Sequence, residues 1–203
     1  MDMYTALWVV IGLLLGCLPF SYWVGQYILR KDIRTYGDGN PGATNVWNAG
    51  GAIPYVLAVL LDAFKATVPI WLAQHNYDIE GWQLSLVAIS PLVGNVFTPF
   101  LKFRGGTGLA VVYGAWLALI GWVGPVIMAV SFGLIYIFIR ETPWCIITGM
   151  FILLAYLLIL GYPLHLLGAC AGHNAIMWYR RRQHFTHWPL LQGWFSGRPR
   201  RQA

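Results

Sequence analysis

Residues 109–139 form a run of 31 residues without one charge, and nothing else in the chain limits its fold so strongly. Eighteen or more apolar residues in a row read as a membrane-crossing helix, because about 20 residues span ~30 Å of hydrocarbon. This run is too long for one crossing, since a single helix would extend about 46 Å at ~1.5 Å per residue. Gly121, Gly124 and Pro125 interrupt it. The pattern therefore predicts a short helix over about 107–120 and a second over about 122–139. Five further apolar runs cover residues 4–29, 52–73, 82–100, 143–160 and 163–179. The expectation is an all-α polytopic membrane protein with seven transmembrane helices. The chain is only 10% charged, against about 25% in soluble domains.

Charge placement sets the orientation. Cytoplasmic loops of membrane proteins carry an excess of Lys and Arg. With seven spans and the N-terminus outside, the inner segments are 30–51, 101–107, 140–142 and 180–203. They hold Arg30, Lys31, Arg34, Lys102, Arg104, Arg140, Arg180, Arg181, Arg182, Arg198, Arg200 and Arg201, which is 12 of the 13 basic residues. The outer loop near 74–81 holds Asp78 and Glu80 and no Lys or Arg. Six spans would move Arg140 and the tail to the other side. The reading is one membrane domain over 1–179, with a basic, Trp-containing cytoplasmic tail over 180–203. Trp188, Trp194 and Phe195 among the tail arginines suit an interfacial anchor on anionic lipid, and a frayed basic tail fits equally well. The first run is too long for a signal-peptide core and lacks a basic region before it, so it is expected to be retained.

The net charge of +6 would suit nucleic acid, but its clustering between apolar runs fits membrane topology instead, so no nucleic-acid partner is expected. Eleven tryptophans and eleven tyrosines fit an interfacial aromatic belt. Cys17, Cys145 and Cys170 lie inside apolar runs without metal-ligand spacing, so neither a disulfide framework nor a metal is expected.

Three polar features go beyond topology. Lys65 lies mid-span, three residues after Asp62. An i,i+3 pair shares a helix face, and intramembrane ionisable groups are functional candidates; a packing ion pair is the plain alternative. The inner loop Gly37-Asp38-Gly39-Asn40-Pro41-Gly42-Ala43-Thr44-Asn45 combines mobile backbone with neutral donors that suit a phosphate, although Asp38 would repel it. The next inner loop, Lys102-Phe103-Arg104-Gly105-Gly106-Thr107-Gly108, leads into a helix start beside two cations, which also suits an anion. His173 and Asn174 fall late in the last span, where a lone helical histidine is more often a packing residue than a catalyst. His165, His184 and His187 carry no clear signal.

Together with Gly16-Cys17-Leu18-Pro19-Phe20, Lys31-Asp32-Ile33-Arg34, Leu61-Asp62-Ala63-Phe64-Lys65, Gly94-Asn95-Val96-Phe97 and Pro99-Phe100-Leu101, these loops resemble the bacterial acyl-phosphate:glycerol-3-phosphate acyltransferase family, the PlsY type. The resemblance spans most of the chain and includes order, spacing and the seven-span topology. It implies transfer of an acyl group from acyl phosphate to the 1-hydroxyl of glycerol 3-phosphate, giving lysophosphatidate at the bacterial inner membrane. No metal, cofactor or carrier protein is implied. The implied substrate-binding residues are Gly39, Asn40, Thr44, Asn45, Lys65, Lys102, Arg104, Gly105 and Gly106. Asn95 and Thr107 occupy the implied catalytic positions, and His173 is a candidate displaced base.

The chain departs from the resembled pattern in its ionic residues. Asp38 stands for an expected serine, Asn48 for an arginine, Asn95 for a histidine and Thr107 for a lysine. In the last span, where an Arg-His pair followed by an Asn is expected, Gly172-His173-Asn174-Ala175 aligns only its histidine. These changes remove cations and a proton acceptor. They admit a second reading, a non-catalytic paralogue serving as a lipid-binding or scaffold subunit with protein partners. A third, a small transporter, rests on the broken helix and the Asp62–Lys65 pair but lacks an internal repeat.

Overall fold

The computed structural model describes residues 2–139, 141–185 and 189–190. Arg140, His187, Trp188, Trp194, Phe195 and the arginines at 198, 200 and 201 lie outside the described residues, so the tail-anchor expectation is not addressed.

The architecture is all-α. Helices α1 Met3–Cys17, α2 Phe20–Trp23, α3 Ala43–Gly50, α4 Ala52–Asn76, α5 Gly81–Val96, α6 Leu109–Ile120, α7 Val123–Phe138, α8 Thr142–Ile159 and α9 Leu164–Arg181 follow one another. Among the described residues, four segments are long and apolar enough to cross a membrane: Met3–Leu29, Ala52–Asn76, Gly81–Leu101 and Thr142–Ile159. Leu109–Ile120 and Val123–Phe138 are shorter apolar helices. The charge-free run does break at Gly121, whose φ of 68° is in the region that glycine tolerates.

Two local details depart from the sequence reading. The first run is not one continuous α-helix. Pro19 has no N–H to donate and disfavours helical backbone in the residue before it, so α1 stops at Cys17 and α2 restarts at Phe20. A π-helical turn, Val24–Leu29, then ends at Arg30 in the left-handed conformation. In addition, the segment 30–51, expected as a loop, contains a helix, α3, between Gly42 and Gly51.

Helix α1 packs on α5, α4 on α6, α7 on α8, and α9 against both α5 and α8. The α1–α5 crossing is backbone to backbone. A Cβ at Gly16 would overlap the Pro91 carbonyl, and one at Gly94 would overlap the Leu13 carbonyl. Gly94→Val is expected to force the two helices apart and cost about 3 kcal/mol, a fall of about 10 °C in melting temperature for a chain of this size. Thermal unfolding in detergent checks this; an unshifted transition would show the crossing to be looser than described. Across α4–α6, Thr67 donates from Oγ1 to the Gly114 carbonyl at 2.9 Å. The main apolar core includes Trp116, Val87, Leu92, Met150 and Leu157, with Val24, Ile33 and Val46 forming a smaller cluster under α3.

Candidate functional site

Helix breaks place the polar chemistry. Because α1 ends before Pro19, the Cys17 and Leu18 carbonyls lack helical partners. Thr98 Oγ1 donates to the Cys17 carbonyl, and Lys65 Nζ donates to the Leu18 carbonyl at 2.8 Å. Lys65 also donates to Asn95 Oδ1 at 2.8 Å and pairs with Asp62 Oδ1 at 2.7 Å. That last contact is an ion pair with alignment too poor for a hydrogen bond. The other Asp62 oxygen accepts from the Ser21 hydroxyl. An ammonium has three donors, and three oxygens already surround this one. Lys65 therefore ties α1, α4 and α5 together, with two of its three donors in hydrogen bonds and its charge set against Asp62.

Asn95 is also occupied at both ends. Its Oδ1 accepts from Lys65 Nζ, and its Nδ2 donates to the Gly106 carbonyl at 3.3 Å. It couples the buried ion pair to the second glycine loop. That loop lies tight against α5: Gly105 N donates to the Val96 carbonyl at 3.1 Å, and a Cβ on Gly105 would overlap the Asn95 carbonyl.

The first glycine loop is held by side chains. Asp38 Oδ1 accepts from the Asn40 backbone N–H at 3.1 Å and from Asn45 Nδ2 at 3.0 Å. Asn45 Nδ2 also donates to the Asn40 carbonyl at 2.9 Å, and Asn45 Oδ1 accepts from Asn48 Nδ2 at 3.1 Å. Asp38 is thus a turn-former for this loop, an Asx-type arrangement. Asn45 is fully buried and staples the loop from beneath.

The two loops meet at a cavity of about 390 Å³. Asn40, Gly42, Thr44, Asn95, Gly106, Thr107, Gly108, Asp62 and Arg181 line its polar part, and Tyr55, Val59, Val111, Phe132 and Ile146 are among its apolar walls. Helix α3 begins after Gly42 and α6 after Gly108, and neither start is capped by a side chain. Both starts line the cavity. Uncapped N–H groups and the positive end of the helix dipole favour an anion.

A second, open depression of about 1110 Å³ is lined by Asp32, Arg34, Gly39, Phe100, Lys102, Arg104 and Arg180. Pro41 borders both depressions. Within the second one, Arg34 pairs with Asp32 at 2.6 Å and holds that carboxyl below its ordinary range through side-chain hydrogen bonds. The end of α9 clasps the second loop: Arg180 donates to the Gly105 carbonyl at 2.7 and 3.2 Å, and Arg181 Nη2 donates to Thr107 Oγ1 at 3.3 Å. Arg181 lies past the apolar stretch of α9. Burial pushes its guanidinium below the ordinary value, the Asp38 carboxylate supports its charge, and Arg180 opposes it.

Of the residues expected from sequence, Asn40, Thr44, Asn95, Gly106 and Thr107 come together at the 390 Å³ cavity. Gly39, Lys102 and Arg104 line the open depression instead. Asn45, Lys65 and Gly105 support the walls without lining either space. His173 is fully buried, with Nε2 3.1 Å from the Ala88 carbonyl and its ring edge-on to Trp116. It faces the α5–α9 packing and lines neither space. Arg180 and Arg181 were legible only as topology charges, because adjacent residues on a helix point about 100° apart and sequence does not say which one faces inward.

A sequence model of the glycerol-3-phosphate acyltransferase family matches residues 6–188. The chain belongs to the glycerol-3-phosphate acyltransferase family. A member from Ralstonia nicotianae is 33% identical over 192 residues, covering 93% of this chain and 91% of that protein. One from Anaeromyxobacter dehalogenans is 42% identical over 143 residues, covering 66% and 69% respectively. The fold is similar to crystal structures of PlsY (YgiH), an integral membrane glycerol 3-phosphate acyltransferase. Its glycerol 3-phosphate form matches with a TM-score of 0.82 and 26% identity over 98% of this chain and 96% of that one. Its lysophosphatidic acid form matches with a TM-score of 0.81 over 98% and 95%. As a PlsY-type family member, this chain places its glycine loops and α9 within a fold shared along nearly its whole length.

Proposed function

We propose that this chain transfers an acyl group from acyl phosphate to the 1-hydroxyl of glycerol 3-phosphate, forming lysophosphatidate for membrane phospholipid synthesis. The observation that carries the reading is the convergence of two uncapped helix starts, α3 and α6, on one cavity with apolar walls. The polar part suits a phosphate and the apolar walls suit an acyl chain. The 1-hydroxyl oxygen attacks the acyl carbonyl carbon, the acyl carbon–phosphate oxygen bond breaks, and inorganic phosphate leaves. The hydroxyl proton passes to an oxygen of the acyl phosphate group itself, because Asn95 is an amide and cannot accept it.

In this reading Asp38, Asn48, Asn95 and Thr107 stand where the family pattern has serine, arginine, histidine and lysine. Asn95 and Thr107 act by holding the second loop and offering a hydroxyl, and the backbone of residues 106–108 supplies donors. Lys102 and Arg104 draw the anionic substrates toward the open depression. The chain crosses the inner membrane seven times over residues 1–179, with its N-terminus outside and its tail and both glycine loops cytoplasmic. The test is a steady-state assay in which purified protein in detergent receives acyl phosphate and glycerol 3-phosphate. Lysophosphatidate above the level of a protein-free control is expected, and its absence from a monodisperse preparation sinks the reading. A non-catalytic, lipid-binding or scaffold role is the second reading, favoured by the engagement of Asn95 with Lys65 and the Gly106 carbonyl. It predicts bound lipid without turnover and co-purifying protein partners.

A further inference from the structure

Among the described residues, Arg181 is the one cation that lines the cavity, and its chemistry is unfinished. The residue is 7% exposed. Its Nε is buried without a hydrogen-bond partner among the described residues. Among the described residues, its side chain donates one bond, the 3.3 Å contact to the Thr107 hydroxyl. The salt bridges among the described residues are Arg34–Asp32 and Lys65–Asp62, and neither involves Arg181. Asp38 acts on it electrostatically, but Asp38 Oδ1 is already accepting from Asn40 and Asn45. Asp62, the other carboxylate on the cavity wall, is paired with Lys65.

A guanidinium stays charged when buried and presents five donors in a planar fork that matches two phosphate oxygens. A buried cation without a carboxylate partner, facing a space that two helix starts also face, calls for an anion. We propose that Arg181 is the phosphate-binding cation of this site, supplying from the end of α9 the charge that Thr107 lacks on the second glycine loop. Its ligand is the phosphate monoester of glycerol 3-phosphate. The Thr107 hydroxyl, already within reach of Arg181, shares that phosphate and sets the guanidinium plane. Arg180, bonded to the Gly105 carbonyl, holds the loop in register with α9. The assignment rests on the acyl-transfer reading for its substrate.

The experiment measures radiolabelled glycerol 3-phosphate binding by equilibrium dialysis, and KM and kcat for lysophosphatidate formation, on the full chain in detergent. Arg181→Gln is expected to weaken binding about thirtyfold, the scale of a lost charge-assisted bond, with KM rising more than kcat falls. Adding Thr107→Lys to Arg181→Gln returns the cation from the loop side and is expected to restore binding to within about fivefold of the native chain. Unchanged binding in folded Arg181→Gln overturns the assignment, as does a folded double variant that regains no affinity. If Arg181→Gln does not fold, the double variant decides alone. A native chain that binds glycerol 3-phosphate without turnover contradicts the acyl-transfer reading and leaves the phosphate assignment to the dialysis. Turnover with an unmoved KM in Arg181→Gln overturns the phosphate assignment by itself.

Discussion

Lys65→Met is expected to destabilise the protein by about 3–5 kcal/mol, because it leaves a buried carboxylate without its counter-charge. Lys65 is 4% exposed and Asp62 is 7% exposed. The substitution takes a partner from Asp62, the Asn95 Oδ1 and the Leu18 carbonyl at once. For a chain of this length the loss corresponds to about 10–15 °C in melting temperature. Activity falls with it, since Asn95, which holds the Gly106 carbonyl, loses the Lys65 bond that orients its side chain. Changing both members, Lys65→Met with Asp62→Leu, removes the unpaired charge and is expected to recover most of the stability. It does not recover activity, because Lys65 no longer orients the Asn95 amide on the Gly106 carbonyl. Thermal unfolding and lysophosphatidate formation, measured on the same preparations, separate these effects. A Lys65→Met protein as stable as the native one would mean that the pair is not the fixing point described.

Asn45→Ala acts on the other wall. The side chain is 1% exposed, donates to Asp38 and the Asn40 carbonyl, and accepts from Asn48. Losing three bonds, with Asp38 and Asn48 exposed enough to turn to water, is expected to cost about 1–2 kcal/mol. The larger effect is on turnover. The loop from Asp38 to Thr44 carries Asn40, Gly42 and Thr44 into the cavity, and a shift of about 1 Å in such a wall can lower the rate about 100-fold. Asn45→Asp is expected to fail similarly, because it removes the donors and sets a second carboxylate against Asp38. Glycerol 3-phosphate KM and kcat in both variants check this. Turnover within about threefold of native would show that the loop holds its shape without Asn45.

Much of this arrangement was legible in the residues, and the parts that were not share a cause. The break at Gly121 followed from a run too long for one helix, and the Asp62–Lys65 pair followed from helical spacing. Both are local. The helix α3 was read as loop because its eight residues, Ala43–Gly50, are bounded by glycines and include polar asparagines. The partners of Lys65 at Leu18 and Asn95 are 47 and 30 positions away, so no window on the sequence could show where the ammonium is held. Asp38 was read as a charge that repels an anion, whereas its geometry makes it a turn-former for the Asn40 loop. His173 was a candidate base, but rotation of α9 points it at α5 and gives the inward position to Arg181. Composition and spacing reveal which helices exist; they do not reveal which face of the last helix meets the loops.

The central claim is that this cavity performs acyl transfer with Asn95 and Thr107 as they stand. It is tested most directly by single turnover with radiolabelled glycerol 3-phosphate and excess acyl phosphate, comparing the native chain with Asn95→His/Thr107→Lys. The account predicts labelled lysophosphatidate from the native chain. Product from the double variant alone would contradict it and identify the native chain as a member of the fold that has lost its chemistry.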